Sequence, residues 1–335
     1  MDVAAIVVNY RTAEATVEAV AVLLREMEGL QDPHVIVVDN DSGDGSLQKL
    51  EQAFAGPAWP NRVTVIGSGH NGGYGFGINV GVRRLLAWPN PPRYVHVINP
   101  DAIPDAGSVK RLVAFMDGHP DAGMAGSYVY NPVGEDRIKG FRFPSLLGEF
   151  ESTAKTNVVA RLLRNHAMAL FPDQSCEVDW VSGSNMVIRR EVFQQSALFD
   201  EGYFLYFEEV DFARQVRNAG WKIYYVDGAS VGHLGSVSTG MADETRRMPG
   251  YWFQARRRYF VKHHGAAYTA ACDAAWVCGY AMCVAKTKLL RRKVVFRPHL
   301  WRDFIRYSAK NLLKPPPDAE QNRAVRGVAA SGTAE

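Results

Sequence analysis

Cysteine is scarce in this chain, and what there is does not form a framework. The 335 residues include four cysteines: Cys176, Cys272, Cys278 and Cys283. No two form a C-x-x-C pair, and the last three lie in an apolar stretch. Neither a disulfide scaffold nor a zinc site is therefore expected.

An excess of one charge is also missing from the chain as a whole. Lys and Arg number 38 and Asp and Glu number 35, a net charge of +3, so nucleic acid is not an expected partner. The positive residues are nevertheless unevenly placed. The segment from Lys286 to Lys314 has ten Lys or Arg and one acid, Asp303. This segment needs either an anionic partner or a solvated surface.

The N-terminus lacks the basic region and long apolar run of a signal peptide, so a cytoplasmic location is expected. Ala266 to Ala285 is long enough to span a bilayer, but Asp273 interrupts it and small residues dilute it. Basic residues follow directly: Lys286, Lys288, Arg291, Arg292 and Lys293. The pattern predicts peripheral contact of 266–314 with the anionic inner face of the cell membrane. The alternative is a core helix with a solvated basic end.

Two nucleotide-binding signatures are absent. The glycine-rich run from His70 to Gly81 fails to match G-x-G-x-x-G, because Val80 stands where the third glycine is required, and there is no P-loop. The run precedes a predicted helix, Val80 to Trp88, and its backbone amides could face an anion.

The first half of the chain alternates short β-branched runs with helical patterns, which predicts a mostly parallel, Rossmann-like sheet flanked by helices. The predicted strands there are Val3–Val8, His34–Val38, Val63–Ile66 and Tyr94–Ile98, with a helix over Thr12–Glu28 that Thr12 could cap. Later elements are a strand in Trp180–Arg189, a helix over Phe207–Ala219, a strand over Lys222–Val226 and helices from Tyr251 to about Lys293. The predicted regions are a catalytic domain, 1–250, a helical basic region, 251–314, and a disordered tail, 315–335.

Polar residues follow the predicted strands at the edge where open α/β sheets bind ligands. Asp39 ends the second strand, and Asn99-Pro100-Asp101 follows the fourth. A carboxylate at such a turn can hold a magnesium or manganese ion bound to a diphosphate, so Asp101 is the first candidate metal ligand. Turn formation alone is the competing explanation for Asn-Pro-Asp.

Three carboxylates, Glu208, Glu209 and Asp211, lie in the first turn of a predicted helix, where the helix dipole alone would favour them. The preceding aromatic segment, 199–207, could raise a carboxyl pKa and exclude water from a base. Glu209 is therefore the candidate general base, and Glu208 is the alternative. His233 has glycines nearby and is a candidate for completing a metal or diphosphate site.

Taken together and in order, these residues resemble glycosyltransferase family 2 across roughly residues 3 to 265. The matching elements are Val7-Val8-Asn9-Tyr10, Val37 to Ser42, Asn71-Gly72-Gly73-Tyr74 with Gly77, Asn79 and Gly81, Asn99-Pro100-Asp101, Gly183 to Met186, Phe199-Asp200-Glu201, Glu208-Glu209-x-Asp211 and His233. The resemblance implies a GT-A fold. It also implies that Asp39 contacts the nucleobase, that Asp101 and His233 hold Mg²⁺ or Mn²⁺, and that Glu209 is the base. Many relatives carry Asp where Glu209 stands.

The same resemblance assigns the remaining site residues. Asn71 and Asn79 would shape the nucleotide-sugar pocket, Gly183 and Ser184 would line the sugar and acceptor site, and Asn9, Tyr10, Gly72, Gly73 and Asn99 complete the nucleotide-sugar-binding set.

The expected reaction is inverting transfer from a nucleotide-diphosphate sugar, with dTDP-rhamnose the leading candidate, to a glycan or polyprenyl-linked acceptor in cell-surface polysaccharide synthesis. No covalent intermediate is required. A metal-dependent sugar nucleotidyltransferase and a non-catalytic nucleotide-sugar-binding protein are the alternatives.

Overall fold

The computed structural model describes residues 1–57, 59, 61–134, 137–196, 198–235, 243–291, 296–312 and 314. These residues fall into two compact units. The first comprises Met1–Phe143, Ala169–Phe199 and the described residues from Glu209 to 235; the second comprises Pro144–Met168, Asp200–Glu208 and the described residues from Asp243 onward.

The secondary structure alternates in the N-terminal half, as predicted. The strands are β1 (Val3–Asn9), β2 (His34–Asp39), β3 (Val63–Gly67), β4 (Tyr94–Ile98), β5 (Ala102–Pro104), β6 (Ala122–Tyr130), β7 (Arg137–Ile138), β8 (Gly140–Phe141), β9 (Ala169–Leu170), β10 (Cys176–Glu177), β11 (Asn185–Arg189) and β12 (Lys222–His233). The helices are α1 (Ala13–Glu26), α2 (Ser46–Phe54), α3 (Tyr74–Leu86), α4 (Ser108–Gly118), α5 (Leu146–Ala154), α6 (Asn157–Leu162), α7 (Arg190–Gln195), α8 (Glu208–Asn218), α9 (Gly250–Leu289) and α10 (Leu300–Asn311).

The first unit is built on a mixed sheet with the strand order β10-β12-β6-β11-β4-β1-β2-β3. β1 is parallel to both β2 and β4, and β2 is parallel to β3, while β11 runs antiparallel to β4 and β6. Side chains of β1 alternate between two apolar cores, since Val3, Ala5 and Val7 pack on one face. Ala4, Ile6 and Val8 pack on the other. Burial on both faces explains why this strand is a continuous apolar run.

The glycine-rich run enters a helix earlier than predicted, at its fifth residue. α3 begins at Tyr74 instead of Val80. The reason is packing, because a Cβ at Gly77 would lie 2.7 Å from Val8 Cγ1, and one at Gly81 would lie 2.9 Å from Ile6 Cγ2. These two glycines let the helix backbone approach β1 closely.

Two further predictions were wrong in detail. Thr12 is the N-cap residue of α1, but its side chain makes no capping hydrogen bond; its hydroxyl donates to Asn9 Oδ1 at 3.1 Å. β12 does not end at Val226 but continues through irregular pairing to His233. His233 is therefore the last residue of this strand.

In the described residues of the second unit, the regular secondary structure consists of helices. α9 contains a break at Gly265, whose φ of 79° and ψ of 172° are non-helical. After the break, one face of α9 is buried, consisting of Thr269, Cys272, Trp276, Gly279 and Cys283. It packs on α5, and a Cβ at Gly279 would lie 2.5 Å from the carbonyl oxygen of Phe150.

Within the described part of the chain, no helix combines the length and apolar character needed to cross a membrane. Arg292, Lys293 and the predicted tail, 315–335, lie outside the described residues.

Candidate active site

The strand registers of the first unit bring most of the predicted polar residues to one edge of the sheet. Asn9 is paired with Asp39 at the carboxyl ends of β1 and β2. Because β11 is antiparallel to β4, its first residue, Asn185, lies opposite Ile98 at the end of β4. The Asn99 amide then donates to the Ser184 carbonyl at 3.0 Å. The carboxyl ends of β1, β2 and β4 thus meet the start of β11.

Asn9 and Asp39 hold the ends of β1 and β2 together. Asn9 Nδ2 donates to Asp39 Oδ1 at 2.6 Å, and Ser42 Oγ donates to the same oxygen at 2.6 Å. The Ser42 amide donates to Asp39 Oδ2 at 3.2 Å. The side chains of Asn9 and Asp39 are both buried. In this geometry the two residues fix the shape of the loop after β2. Tyr10, the next residue of the chain, lies under the Arg11 guanidinium at 5.0 Å from its ring centre.

Asn40 connects that loop to the glycine-rich segment, although no role was predicted for it. Its Nδ2 donates to Asn71 Oδ1 at 3.1 Å and to the Gly73 carbonyl at 3.0 Å. Asn40 Oδ1 is buried and has no hydrogen-bond partner among the described residues. An unsatisfied buried acceptor at a sheet edge is a feature that a ligand donor can complete. Asn40 belongs to the motif that follows β2, but sequence alone did not separate it from its neighbours.

The glycine-rich segment itself is shaped by contacts within the chain. The Gly73 amide donates to Asn71 Oδ1 at 3.1 Å, and Gly73, the N-cap residue of α3, has a φ of 94°. A Cβ at Gly72 would lie 2.5 Å from the Phe76 ring. Asn79 is fully buried, and both polar atoms of its amide bond the backbone of Phe199, at 2.9 and 3.0 Å. Asn79 thus positions the chain at Phe199.

Asp101 and His233 are in contact. His233 Nε2 lies 3.1 Å from Asp101 Oδ1 and 3.2 Å from Asn99 Nδ2. The pairing of β5 with β12 places Ala102 opposite His233 and so fixes this contact. Asn99 Oδ1 is buried with no partner in the described part of the chain. Two residues 132 positions apart in sequence therefore lie side by side at the sheet edge.

The chemistry of this group fits a divalent cation. Asp101 Oδ1 and His233 Nε2 are a carboxylate and an imidazole ligand 3.1 Å apart, and neighbouring ligands in an octahedral site with 2.0–2.1 Å bonds lie about 3 Å apart. No group of three or more His, Cys, Asp or Glu with metal-binding geometry occurs among the described residues. The remaining ligands would come from a diphosphate and water, as is usual for Mg²⁺.

Glu209 faces the turn that precedes β11. A Cβ at Gly183 would lie 3.3 Å from Glu209 Cβ, so glycine leaves room for the glutamate. Tyr74 OH donates to the Gly183 carbonyl at 3.0 Å and links this turn to the start of α3. Ser184 is buried, and its hydroxyl contacts Ser182 Oγ at 2.8 Å.

The Glu209 carboxyl has the protonation behaviour of a base that works near neutral pH. Burial raises its pKa from 4.5 to about 7, against the lowering effect of hydrogen bonds from the Glu209 and Val210 amides. Its Oε2 is buried without a hydrogen-bond partner among the residues described. A carboxylate poised near pH 7 is suited to general base catalysis.

The other two carboxylates of α8 differ from Glu209. Asp211 is fully buried and accepts from Gln215 Nε2 at 2.8 Å. Glu208 is buried and belongs to the second unit, together with the segment 200–208. In that unit Phe207 packs against Tyr259 with ring centres 5.6 Å apart. Gly183 and Glu209 come together within the first unit.

A buried polar chain beneath the Gly183 turn was not predicted. His96 Nε2 contacts Asn185 Oδ1 at 2.5 Å, and Asn185 Nδ2 donates to Ser127 Oγ at 2.6 Å. Burial lowers the pKa of His96 to about 4, so the imidazole is neutral. The only signal in the sequence was a histidine in an otherwise apolar strand, which usually indicates a satisfied core residue.

The chain belongs to the family described as Glycosyltransferase like family 2, which it matches over residues 2–272. An N-acetylglucosaminyl-diphospho-decaprenol L-rhamnosyltransferase from Mycobacterium tuberculosis is 33% identical over 220 residues, which cover 62% of this chain and 68% of that protein. This chain is therefore a glycosyltransferase, as its resemblance to the family implied.

Solved structures of other glycosyltransferases have a fold similar to that of this chain. A mannosyltransferase from Pyrobaculum calidifontis, in complex with GDP-Man and Mn²⁺, is 15% identical with a TM-score of 0.51, over 98% of this chain and 85% of that one. A crystal structure of GalNAc-T7 with UDP, GalNAc and Mn²⁺ is 14% identical with a TM-score of 0.54, over 95% of this chain and 58% of that one. The fold is GT-A.

Proposed function

We propose that the chain transfers a sugar, with inversion, from a nucleotide-diphosphate donor to a glycan or polyprenyl-linked acceptor in cell-surface polysaccharide synthesis. The observation that carries this proposal is the placement of Glu209, a buried carboxyl with a pKa of about 7, beside Gly183. Asp101 and His233 lie at the same edge of the sheet. The Asn99 amide donates to the carbonyl of Ser184, the residue after Gly183, so the turn beside Glu209 is linked to the turn that carries Asp101.

Glu209 would accept the proton of the acceptor hydroxyl as that oxygen attacks the anomeric carbon from the face opposite the leaving diphosphate. The C–O bond to the diphosphate breaks as the new glycosidic bond forms, so the configuration inverts and the enzyme carries no covalent intermediate. The Gly183 turn would hold the acceptor close to the base, because its glycine leaves space beside Glu209.

Asp101 and His233 would hold Mg²⁺ or Mn²⁺. When bound, such a cation neutralises charge on the departing diphosphate. Two buried oxygens at this edge, Asn40 Oδ1 and Asn99 Oδ1, would accept hydrogen bonds from the nucleotide sugar or its water shell. Asp39, with Asn9, would maintain the loop that approaches the nucleobase, and Asn71 with Gly73 would shape the pocket.

The proposed donor and acceptor are based on the relative whose name states an activity. Its name specifies an L-rhamnosyltransferase acting on N-acetylglucosaminyl-diphospho-decaprenol. By that similarity we favour dTDP-rhamnose as donor and a polyprenyl-diphosphate-linked sugar as acceptor. An acceptor of this kind keeps its tail in a bilayer, which agrees with the proposed peripheral contact of 266–314 with the inner face of the cell membrane.

The test is nucleoside diphosphate release across dTDP-rhamnose, UDP-sugars and GDP-sugars, with and without Mn²⁺ or Mg²⁺. We expect metal-dependent turnover of dTDP-rhamnose when a polyprenyl-linked acceptor is supplied, and a product whose anomeric configuration, measured by NMR, is inverted. Selection of another donor would correct the sugar while keeping the class. Release of pyrophosphate, or retention of configuration, would contradict the mechanism.

A further inference from the structure

The helix α10 has an apolar stripe that faces solvent. Trp301 is 43% exposed, Ile305 is 38% exposed and Leu312 is 48% exposed. Leu312 directly follows α10 and keeps helical backbone angles, so the spacings of four and seven residues align these three side chains on one face. A Trp, an Ile and a Leu together in water are a cost that most surface helices avoid.

The stripe is not the face by which α10 packs on its own unit. That packing face consists of Leu300, Phe304 and Tyr307. Phe304 is buried and stacks on Trp276 with ring centres 4.0 Å apart. α10 is therefore anchored by one apolar face and presents a second one outward.

A basic strip borders the exposed stripe. Arg302, Arg306 and Lys310 are spaced by four residues, and all three are exposed. The single acid of α10, Asp303, is bound by the Arg247 guanidinium at 2.5 and 2.7 Å and lies 3.8 Å from Arg302 Nε, so the strip keeps a net positive charge. The exposed surface of the helix is therefore apolar along one strip and positive along the next.

We propose that α10 docks on an anionic membrane, with Trp301, Ile305 and Leu312 at the level of the acyl boundary and the basic strip against headgroup phosphates. A helix with an apolar face, an interfacial Trp and a flanking Lys/Arg row has the composition of an interfacial helix. This inference deepens the proposed function, since a polyprenyl-linked acceptor lies in a membrane. It places the contact on α10, because the buried face of 266–285 is occupied by α5.

A second copy of the chain is a poorer occupant for this surface. Two α10 helices joined through their exposed stripes would bring their basic strips close together, and like charges across an interface oppose association. An anionic lipid surface is complementary to both strips at once.

Vesicle flotation of the full chain tests the proposal, using phosphatidylcholine alone and phosphatidylcholine mixed with phosphatidylglycerol. We expect binding only to the mixed vesicles. Replacing Arg302, Arg306 and Lys310 by Gln should weaken it about a hundredfold, at roughly fivefold for each charge near the surface. Trp301→Ser with Ile305→Ser should also weaken binding at least tenfold.

Matched controls lie on the first unit. Arg25, Arg84 and Lys110 are exposed, so changing them to Gln removes the same charge elsewhere. Phe171→Ser removes an apolar side chain that is 61% exposed. Both controls should float like the unmodified protein. Equal losses in the α10 variants and their controls would overturn the proposal.

The other outcomes are equally decisive. Binding that ignores anionic lipid, or a change in molar mass by light scattering with flotation unchanged in the Trp301 variant, would also overturn it, the latter in favour of self-association. Flotation uses neither sugar donor nor sugar acceptor, so it tests the membrane contact independently of the proposed reaction. Transfer to a detergent-soluble acceptor should survive the α10 substitutions.

Discussion

Two groups of polar and charged residues, one in each unit, have opposite characters. In the first unit, Asp101 and His233 share a contact, while Asn99 Oδ1 and Glu209 Oε2 are buried acceptors with no partner among the described residues. In the second unit, Arg256 is 3% exposed and binds Glu149 Oε2 at 2.8 and 3.0 Å and Asp273 Oδ1 at 2.5 Å.

The difference distinguishes a group that can bind a ligand from a group that only stabilises the fold. A buried charge that is fully paired stays in place and does no further binding, as in the Arg256 cluster, whose guanidinium also lies over the Phe260 ring at 4.8 Å. Buried acceptors left unpaired cost stability and persist where a ligand will complete them. The first cluster thus has the character of a site, and the second that of a structural element.

The largest expected effect is on Glu209. Glu209→Gln should lower the rate of sugar transfer by about 10² to 10⁴, the usual contribution of a general base. The same change should stabilise the ligand-free protein above pH 7. The folded pKa is raised from 4.5 to about 7, so the folded state is favoured below pH 4.5 and this advantage is lost as pH rises through 7.

Removing the ionised carboxyl therefore recovers up to about 3 kcal/mol at pH 8.5, measured by urea unfolding. Activity of the unmodified protein should rise with pH through about 7. Glu51→Gln, at an exposed position of α2, is the control and should alter neither quantity. An inactive variant with unchanged stability would mean that Glu209 is not held in a strained, desolvated state.

Arg256→Ala should give the reverse pattern. It leaves the buried Glu149 carboxylate and the partly buried Asp273 carboxylate without their cation, and should reduce the free energy of unfolding by about 3–5 kcal/mol. Replacing the cluster as a whole, with Glu149→Leu, Arg256→Met and Asp273→Leu, should recover most of that loss. Chemical denaturation of the three proteins measures it. If the triple variant were no more stable than Arg256→Ala, the cluster would have a role beyond pairing.

Asp101→Asn and His233→Gln should each reduce metal-dependent transfer about a hundredfold or more, because a Lewis acid at a diphosphate supplies several kcal/mol. Neither change should lower the melting temperature by more than a few degrees, since neither residue completes a closed network. Mn²⁺ affinity by electron paramagnetic resonance should fall with the rate. Asp105→Asn, at the next acid along the chain, serves as the control. Normal Mn²⁺ binding by both variants would move the metal site elsewhere.

His96 combines features of both groups: it is buried, its Nε2 contacts Asn185 Oδ1, and its Nδ1 has no hydrogen-bond partner among the described residues. Its folded pKa of about 4 lies below the ordinary 6.5, so its contribution to stability is complete above pH 6.5 and is lost as pH falls toward 4. The full loss is about 3 kcal/mol. Urea unfolding at several pH values should show this slope, and His96→Leu should flatten it. A slope that persists in the variant would point to another titrating group.

The smallest effect is expected at Gly183. Gly183→Ala puts a methyl group 3.3 Å from Glu209 Cβ, tight enough to displace the base slightly, and should slow transfer about tenfold with little loss of stability. Gly81→Ala, whose Cβ would lie 2.9 Å from Ile6, should instead destabilise the fold and leave the rate of the folded protein unchanged. Kinetics and thermal unfolding of the pair would separate the two uses of glycine.

The alternation of strands and helices was predictable because hydrophobic periodicity reports burial directly: β1, β2, β3 and β4 were confirmed within a residue or two. The start of α3 was missed because glycine signals a turn locally, while here it serves a close approach to β1. The roles assigned to Asp101, His233 and Glu209 remain predictions. The contact between Asp101 and His233, in contrast, is a finding of the structure.

The order of the polar residues at the strand ends could be predicted from the sequence alone, and so could the family that this order indicates. Three things depended on the tertiary structure: the contact between Asp101 and His233, the desolvation that raises the pKa of Glu209, and the choice of which face of α10 remains exposed. Each depends on groups far apart in sequence, and a pKa or an exposed area is set by surroundings that no local pattern encodes.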